Sequence, residues 1–187
     1  MATATFRLRA PGGKLYRPGE IQAQFHADPS KYRWCYGGVR SGKSLAGCVE
    51  SFMTALAYPG SVGLVGRYTW AQLSRTTWRM LQQIIPRDLI ARQAESPANC
   101  FMDIRAGSRG ELSRIWGVHC SNLDSIYSME LDWFFLDEAG QMPQKAGKDL
   151  WSMLASRLSG AVGPLRGWAC SNPNGHDYLW TLFFRKA

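Results

Sequence analysis

The chain has 187 residues, of which 45% are hydrophobic, and it carries a formal net charge of +8. This length predicts one domain that buries a sizeable core, and the hydrophobic content excludes a disordered chain. The positive charge favours an anionic partner, for which nucleic acid is the natural candidate, although a basic surface without a specific ligand explains it equally well.

The amino end and the cysteines exclude further classes of protein. Residues 1–9 lack the apolar region of a signal peptide, and no apolar run approaches the length of a membrane span. We therefore expect an intracellular protein without a membrane partner. The five cysteines form no C-x-x-C pair and do not cluster with the three histidines, which argues against a zinc site and for buried, reduced thiols.

Turn signals dominate residues 1–30, and one glutamine in this segment stands out. Gln22 lies upstream of a phosphate-binding motif, where its side-chain amide can both donate to and accept from an adenine edge. A solvated polar residue on a short helix is a nearly equal alternative.

Residues 32–36 predict a strand that leads into a phosphate-binding loop. Residues 37–44 fit G-x-x-x-x-G-K-S/T, the P-loop, and an apolar helical pattern follows over roughly 44–58. The glycines bring backbone N–H groups close to an anion, Lys43 places a charge against the β- and γ-phosphates, and Ser44 offers its hydroxyl to Mg²⁺. We assign the whole loop to nucleotide binding: Gly37, Gly38, Val39, Arg40, Ser41, Gly42, Lys43 and Ser44. The strand–loop–helix setting argues against an incidental glycine turn.

The next segment continues the alternation of strand and helix. Residues 61–67 form an apolar run typical of a strand that is buried on both faces of a parallel sheet. Thr69 is a plausible N-cap for a helix that Pro86 ends. A second short helix is expected after Pro86, broken by Ser96-Pro97.

A hairpin interrupts the α/β alternation. Residues 100–105 and 111–118 predict two strands around a glycine-containing turn. The arginines of this hairpin are candidates for phosphate contacts, although most exposed basic residues touch nothing: Arg105, Arg109 and Arg114.

An apolar strand at residues 131–136 delivers two adjacent acids to its carboxyl end, where ligands bind in open α/β sheets. Asp137 is predicted to hold Mg²⁺, directly or through water, as a Walker B aspartate, and Glu138 to polarise the attacking water as general base. A charged exit from a strand is the alternative, but the two motifs work together and a P-loop is present in the same chain.

The last part of the chain predicts a helix, a strand and a closing helix. They cover residues 146–158, 165–170 and 178–184. The strand ends in Ser171-Asn172-Pro173-Asn174-Gly175, whose polar amides can sense the γ-phosphate or the attacking water. A plain turn is the alternative, since Asn, Pro and Gly dominate turns.

Four motifs, in this order, resemble the ATPase domain of a bacteriophage large terminase subunit, the motor that packages viral DNA. They are Gln-x-x-Phe-His from Gln22, the Gly-Gly-x-Arg-Ser-Gly-Lys-Ser loop, Leu-Asp-Glu-Ala at 136–139, and Ser-Asn-Pro-Asn-Gly before an aromatic-rich helix. The resemblance implies an α/β P-loop NTPase of the additional-strand (RecA-like) class, with a central, mostly parallel sheet flanked by helices. Residues 1–30 would be an N-terminal segment that carries the glutamine, and residues 31–187 the ATPase core.

The resemblance also implies roles for single residues and for partners. Gln22 would read adenine, Arg40 would approach the γ-phosphate and join Lys43 and Glu138 in catalysis, and Ser171 with Asn172 would couple hydrolysis to motion. The implied cofactors are ATP and Mg²⁺. The implied partners are double-stranded DNA, the portal protein and the small terminase subunit, with the motor working as a homo-oligomeric ring on a procapsid in the host cytoplasm.

Two departures from the family matter. Many terminases carry an Arg-Gly pair shortly before the acidic motif, whose arginine is thought to act across the ring, whereas this chain has Tyr127-Ser128. Arg114, Arg109 or Arg105 would then supply the trans arginine. The family also continues into a nuclease domain that is absent from this sequence, so we expect no DNA cleavage.

Three other functions stay open on the sequence alone. One is a different DNA-directed P-loop ATPase, such as a helicase-like or recombination protein. The second is a nucleotide-binding module that works by association with little turnover of its own. The third is a small-molecule kinase, against which Glu138 argues because an acid after Asp137 suits water activation better than transfer to an acceptor.

Overall fold

A single mixed sheet organises the molecule. The computed structural model describes residues 8–121 and 126–184, which form a seven-stranded sheet in the order β1-β7-β6-β2-β5-β4-β3. The strands are β1 Tyr32–Tyr36, β2 Val62–Arg67, β3 Ile90–Glu95, β4 Cys100–Ala106, β5 Glu111–His119, β6 Trp133–Asp137 and β7 Arg166–Ser171. The first five strands of this sheet order, β1, β7, β6, β2 and β5, run parallel to one another. β4 and β3 add an antiparallel meander at one edge.

The strand order defines the fold class. β7 lies between β1, which precedes the P-loop, and β6, which ends in the two acids. This inserted strand is the mark of the additional-strand class of P-loop proteins that the sequence predicts. The fold is therefore α/β and RecA-like, with a mostly parallel sheet flanked by helices.

Helices cover both faces of the sheet. They are α1 Glu20–Ala27, α2 Lys43–Ala57, α3 Trp70–Gln72, a π-helix Leu73–Trp78, α4 Arg79–Ile84, α5 Gln144–Ser156 and α6 Tyr178–Phe183, with short 3₁₀ turns at Arg87–Leu89 and Ala139–Gln141. The apolar strand β6 serves both layers, because Trp133 and Phe135 pack in the core under α2 and α4 while Phe134 and Leu136 pack under α5 and α6. Burial on both faces explains why this strand is a continuous apolar run.

The segment after Pro86 differs from the sequence prediction. The second short helix expected there is wrong: a 3₁₀ turn leads into β3, which pairs antiparallel with β4. Ser96, predicted as part of a helix break, closes the turn between these strands through reciprocal backbone hydrogen bonds with Asn99. Pairing at the sheet edge satisfies the backbone groups of this segment, which a helix of one turn would leave without partners.

The helix before Pro86 forms as predicted, with one irregularity. Thr69 is its N-cap, and the Thr69 hydroxyl accepts from the backbone N–H of Gln72. The middle of this helix winds as a π-helix, for which the sequence carries no signal.

Partly buried polar contacts attach α1 to the core. The Glu50 carboxylate on α2 contacts His26 Nδ1 at 2.6 Å and Arg33 Nη2 at 2.7 Å. Arg33 also donates to the backbone carbonyl of Phe25 at 2.9 Å. These contacts fix the N-terminal helix, and with it Gln22, beside the P-loop.

The structure also bears on the predictions about cysteines, metal sites and membrane spans. All five cysteines are free and buried, as the sequence predicts. Within residues 8–121 and 126–184, no group of three or more His, Cys, Asp or Glu side chains is arranged to hold a metal ion. No helix in the same ranges has the length and apolarity needed to cross a bilayer. Residues 1–7 of the predicted N-terminal segment lie outside the described residues.

Candidate active site

The P-loop lies between the carboxyl end of β1 and the first turn of α2. Gly42 adopts a left-handed conformation at φ 81°, and Arg40, which is not a glycine, does so at φ 63°. A cleft of about 260 Å³ opens here. Its lining includes the predicted loop residues together with side chains from three other elements: Val39, Arg40, Ser41, Gly42, Lys43, Ser44, Leu45, Met80, Glu138 and Asn172.

A larger cleft of about 570 Å³ lies at the opposite edge of the sheet, beside β3. Its lining contains none of the motif residues: Gln82, Arg87, Ile90, Ala91, Arg92 and Gln93. Convergence of polar groups identifies a site better than volume does, so the smaller cleft is the candidate active site.

Lys43 is buried and held by oxygen atoms around the loop. Its Nζ lies 3.0 Å from the Gly37 carbonyl, 2.7 Å from the Gly38 carbonyl and 3.0 Å from Asn172 Oδ1. These are neutral acceptors. Phosphate oxygens are stronger, charged acceptors for the same ammonium, so the lysine is placed to exchange its protein partners for an anionic ligand.

Ser44 and Asp137 meet across the boundary between α2 and β6. Ser44 Oγ donates to Asp137 Oδ1 at 2.7 Å, and the backbone N–H of Glu138 donates to the same oxygen at 3.1 Å. A hydroxyl and a carboxylate are hard oxygen donors, which Mg²⁺ prefers. Two protein donors beside a phosphate-binding loop fit Mg²⁺, because this ion is commonly held by one or two protein groups plus phosphate oxygens and water.

Glu138 leaves the sheet in a left-handed conformation, with φ 50° and ψ 40°. Burial and the negative charge of Asp137 raise the pKa of the Glu138 carboxyl, while the positive charges of Arg67 and Lys43 oppose this shift. Gln141 Nε2 lies 3.4 Å from Glu138 Oε2 and is positioned to orient the carboxylate. A raised pKa at the cleft makes this group a stronger proton acceptor than an ordinary glutamate.

Gln22 lies directly over the P-loop. Its Nε2 donates to the Gly42 carbonyl at 3.0 Å, and its Oε1 accepts from the backbone N–H of Gly19 at 2.9 Å. A Cβ at position 42 would lie 2.5 Å from Gln22 Nε2, so this contact requires a glycine there. The proximity to the loop agrees with a role at the nucleotide, and the reading of adenine stays a prediction.

The Ser-Asn pair at the end of β7 connects the P-loop to β1. Asn172 reaches Lys43, as described above, whereas Ser171 is buried and its Oγ accepts from Trp34 Nε1 at 2.9 Å. The two neighbours therefore face different parts of the site. Asn172 thus contacts the P-loop lysine and Ser171 contacts β1, and their role in coupling stays a prediction.

Arg114 forms a fixed structural contact. It donates from Nε and Nη2 to both oxygens of Asp103, at 2.7 and 2.9 Å, and its guanidinium stacks against Phe101 and Trp116. Burial raises the pKa of Asp103, but the hydrogen bonds and charges of Arg114 and Arg92 outweigh burial and hold that pKa below its usual value. Arg114 would have to break these contacts before its guanidinium could extend into another subunit.

The other two arginines of the hairpin differ in their surroundings. Arg105 Nη1 donates to the backbone carbonyls of Asp88 and Ile90, at 2.9 and 3.1 Å. Arg109 lies exposed in the turn between β4 and β5. All three arginines lie far from the carboxyl ends of β1 and β6 in this chain, since Arg114 pairs with Val62 at the start of β2. A trans role for one of them stays a prediction.

Two site residues have no counterpart in the sequence predictions. Arg67 ends β2, and its Nη1 lies 3.5 Å from Asp137 Oδ2. Thr77 lies in the π-helix and donates from Oγ1 to the same oxygen at 2.6 Å. The position of Arg67 at the end of a predicted parallel strand is a signal that could have identified it. No local pattern indicates Thr77.

The fold matches solved structures of bacteriophage large terminases. The ATPase domain of the Thermus phage P74-26 large terminase superposes with a TM-score of 0.68 at 22% identity, over 90% of this chain and 70% of that one. The large terminase of a thermophilic bacteriophage in complex with ADP gives 0.71 at 20% identity, over 89% of this chain and 41% of that one. The HK97 bacteriophage large terminase gives 0.72 at 12% identity, over 94% of this chain and 38% of that one.

The likeness is one of structure. No protein-family model matches the chain, and no curated protein matches its sequence. The chain has the fold of large terminase ATPase domains, and it spans 41% of the ADP-bound terminase and 38% of the HK97 protein.

Proposed function

We propose that this chain is the ATP-hydrolysing motor domain of a viral DNA-packaging terminase, which couples Mg²⁺-dependent hydrolysis to translocation of double-stranded DNA into a procapsid. The observation that carries the proposal is the convergence of Lys43, Ser44, Asp137, Glu138 and Asn172 at one cleft. Solved proteins with this fold include the large terminase of a thermophilic bacteriophage bound to ADP and to ATP-gamma-S, which supports a nucleotide as the ligand.

Binding is assigned to the P-loop and α1. The loop amides and Lys43 take the β- and γ-phosphates at the amino end of α2, where the helix dipole favours negative charge. Arg40 lines the same cleft and adds positive charge near the γ-phosphate. Gln22, which already contacts the loop, reads the adenine.

Hydrolysis is assigned to Glu138 acting on water. The carboxylate accepts a proton from water as the oxygen attacks the γ-phosphorus and the bond to the β-phosphate oxygen breaks. Lys43 and Arg40 stabilise the charge on the transferred group. Ser44 and Asp137 would hold Mg²⁺, which when bound supplies Lewis-acid stabilisation of the phosphoryl oxygens.

Coupling and assembly follow from the surroundings of the site. Asn172 contacts Lys43, so a change in the ligands of the lysine reaches β7 directly. The net charge of +8 supports duplex DNA as the partner. The portal protein, the small terminase subunit and a homo-oligomeric ring in the host cytoplasm are proposed as the assembly on the resemblance to terminases alone. Arg109 is the best candidate for a trans arginine, since Arg105 and Arg114 already have partners.

The proposal also covers the domains of this chain and the absence of nuclease activity. Residues 31–187 form the ATPase core, and residues 1–30 a segment that carries Gln22. We expect no DNA cleavage by this chain. Metal-dependent nucleases need clustered acids, and residues 8–121 and 126–184 hold no group of three or more His, Cys, Asp or Glu side chains arranged around a metal ion. Mg²⁺- or Mn²⁺-dependent cutting of plasmid by the purified chain would contradict this expectation.

The test is ATP turnover against protein concentration, for the wild type and Glu138→Gln, with and without duplex DNA. We expect Glu138→Gln to bind ATP as the wild type does. It should hydrolyse ATP roughly 10²- to 10⁴-fold more slowly, because it lacks the base. An arginine supplied by a neighbouring subunit raises the rate of hydrolysis roughly 10³- to 10⁵-fold, so specific activity should rise as subunits associate.

Three results would count against the proposal in different ways. Equal turnover by Glu138→Gln would refute the base assignment. Fast turnover that is independent of protein concentration would refute the trans arginine. Nucleotide binding without turnover at any concentration, with or without DNA, would favour a binding module instead of a motor.

A further inference from the structure

The two oxygens of the Asp137 carboxylate have separate sets of partners. Oδ1 faces Ser44, whose hydroxyl lies 2.7 Å away. Oδ2 faces the other way, toward Thr77 Oγ1 at 2.6 Å and Arg67 Nη1 at 3.5 Å. With both oxygens engaged, the carboxylate cannot rotate without breaking hydrogen bonds that have little access to water.

Thr77 itself is fully buried, with 0% of its surface exposed. A buried hydroxyl needs a partner, and a charged acceptor gives the stronger hydrogen bond. Arg67, whose side chain is 12% exposed, lies 3.3 Å from Thr77 Oγ1 and also contacts the hydroxyl of Thr76. The arginine thus lies beside both Thr77 and Asp137, next to the hydrogen bond that joins them.

The π-helix sets the orientation of Thr77. Leu73 and Trp78 begin and end this six-residue segment, and both are fully buried in the same core cluster. Residues five apart share a face of a π-helix but not of an α-helix, whose turn repeats every 3.6 residues or so. If the chain continued as an α-helix after Leu73, the following residues would be rotated by about 100° relative to the core. Trp78 could then not pack in the core while Thr77 donates its hydrogen bond to Asp137.

We infer that Thr77, supported by Arg67, is a positioning residue for the metal-binding carboxylate: it holds Asp137 Oδ2 so that Oδ1 stays directed at Ser44 and Mg²⁺. The inference rests on the proposed function. π-Helical turns are found frequently at functional sites, and groups that orient a metal-binding side chain change metal affinity about 10- to 100-fold when removed. A purely structural hydrogen bond would leave metal affinity unchanged once the protein is folded.

The test is Mn²⁺ affinity, measured by electron paramagnetic resonance with a non-hydrolysable ATP analogue bound. We expect Thr77→Val to weaken Mn²⁺ binding about 10- to 100-fold, because the substitution keeps shape but removes the hydroxyl. Thr77→Ser should restore affinity to within about twofold of the wild type, since it keeps the donor. Binding of the nucleotide without metal should be the same in all variants.

Thr76→Val is the matched control. It removes a neighbouring hydroxyl of the same π-helix that contacts Arg67, the Gln72 carbonyl and, at 3.4 Å, Thr77 Oγ1, but not Asp137. Its Mn²⁺ affinity should therefore equal that of the wild type. If Thr77→Val does not fold, as judged by circular dichroism, Thr77→Ala takes its place in the comparison.

The outcomes separate the inference from the proposed function. Wild-type Mn²⁺ affinity in folded Thr77→Val or Thr77→Ala would overturn the positioning role alone. An equal loss in Thr76→Val would also overturn it, since the effect would then belong to the π-helix as a whole. A wild-type chain that binds neither nucleotide nor Mn²⁺-nucleotide would overturn both the inference and the proposed function.

Discussion

Glu138 combines an unusual backbone conformation with an unusual carboxyl group. At φ 50° the residue turns sharply away from β6, which aims its side chain at the cleft instead of along the strand. Left-handed conformations of non-glycine residues store strain and are concentrated at functional sites. The strain is tolerated here because β6 is buried and the following 3₁₀ turn is hydrogen-bonded to the Glu138 carbonyl.

The pH dependence of turnover tests this residue. Burial and Asp137 raise the pKa of Glu138, and the base must be ionised to act, so turnover should fall on the acid side as pH drops through the raised pKa. An ordinary glutamate titrates near about 4.3, and the acid limb of kcat should lie above that value. The measurement is kcat against pH at saturating ATP, with nucleotide affinity followed over the same range.

Two observations would contradict the assignment. A kcat that stays flat down to about pH 4 would show an unperturbed base or a different one. Nucleotide affinity that falls in parallel with kcat would place the titration on a binding group instead. Glu138→Gln should lack the acid limb in whatever residual turnover it retains.

At the residue scale, the sequence predicts the groups whose motifs are contiguous. The G-x-x-x-x-G-K-S/T loop and the Asp-Glu pair are each read within a few positions, because the chemistry depends on a local backbone shape. Arg67 and Thr77 depend instead on β2 lying beside β6 and on a π-helical turn. Neither condition is written in a local pattern. The sequence could therefore have indicated Arg67 only as a basic residue at the end of a predicted strand, and Thr77 becomes visible only in three dimensions.

At the scale of elements, α2 and β6 approach each other unusually closely at a glycine. A Cβ on Gly47 would lie 2.2 Å from the Phe135 ring, far inside van der Waals contact. α2 begins at the P-loop and β6 ends at Asp137, so this contact determines how near Ser44 comes to Asp137. We therefore expect Gly47 to set the spacing between Ser44 and Asp137, the two residues proposed to hold Mg²⁺.

Gly47→Ala should destabilise the protein and weaken metal-nucleotide binding. Alanine improves helix propensity by about 1 kcal/mol, but overpacking a core costs about 1–3 kcal/mol, so the net change should be a loss of stability. The measurements are urea unfolding and Mn²⁺-nucleotide affinity. Met53→Ala, an exposed position of the same helix, is the control and should change neither by much. A more stable Gly47→Ala variant with normal affinity would contradict the spacing role.

The element predicted wrongly is also instructive. Residues 90–95 read Ile-Ala-Arg-Gln-Ala-Glu, and most of these residue types favour helices. They form the edge strand β3 because β4 offers an unpaired row of backbone groups, and because Arg92 reaches the buried Asp103 at 2.8 Å. Long-range pairing and an ion pair thus override local propensity. The central strands were predictable because their apolar runs need burial on both faces.

At the scale of the whole molecule, apolar runs predict the existence of parallel strands but not their order. The insertion of β7 between β1 and β6 came from the resemblance to terminases, not from periodicity. It matters because β7 carries Ser171 and Asn172 to a position between the P-loop and Glu138. The order of strands is thus what brings the P-loop, Glu138 and Asn172 to one cleft.

Two exposed pairs of basic residues, one on each face of the sheet, are candidates for the proposed contact with DNA. Arg75 and Arg79 are exposed one turn apart on the segment that contains Thr77, and neither joins an ion pair within residues 8–121 and 126–184. Lys145 and Lys148 form a comparable exposed pair on α5, on the other face of the sheet. We favour Arg75 and Arg79 as the phosphate contacts because they are more directly connected to the active site. Thr77 lies between them in the chain and donates a hydrogen bond to Asp137.

Replacing both arginines with alanine should weaken duplex DNA binding and reduce its salt dependence. Each lost phosphate contact should lower the slope of log affinity against log salt by about 1. The measurement is fluorescence anisotropy with labelled duplex at several salt concentrations. The Lys145→Ala and Lys148→Ala double variant removes the same charge from the other face and should leave the slope unchanged. Equal losses in both variants would mean that DNA responds only to net charge, and a loss confined to the lysine variant would assign DNA to the face covered by α5.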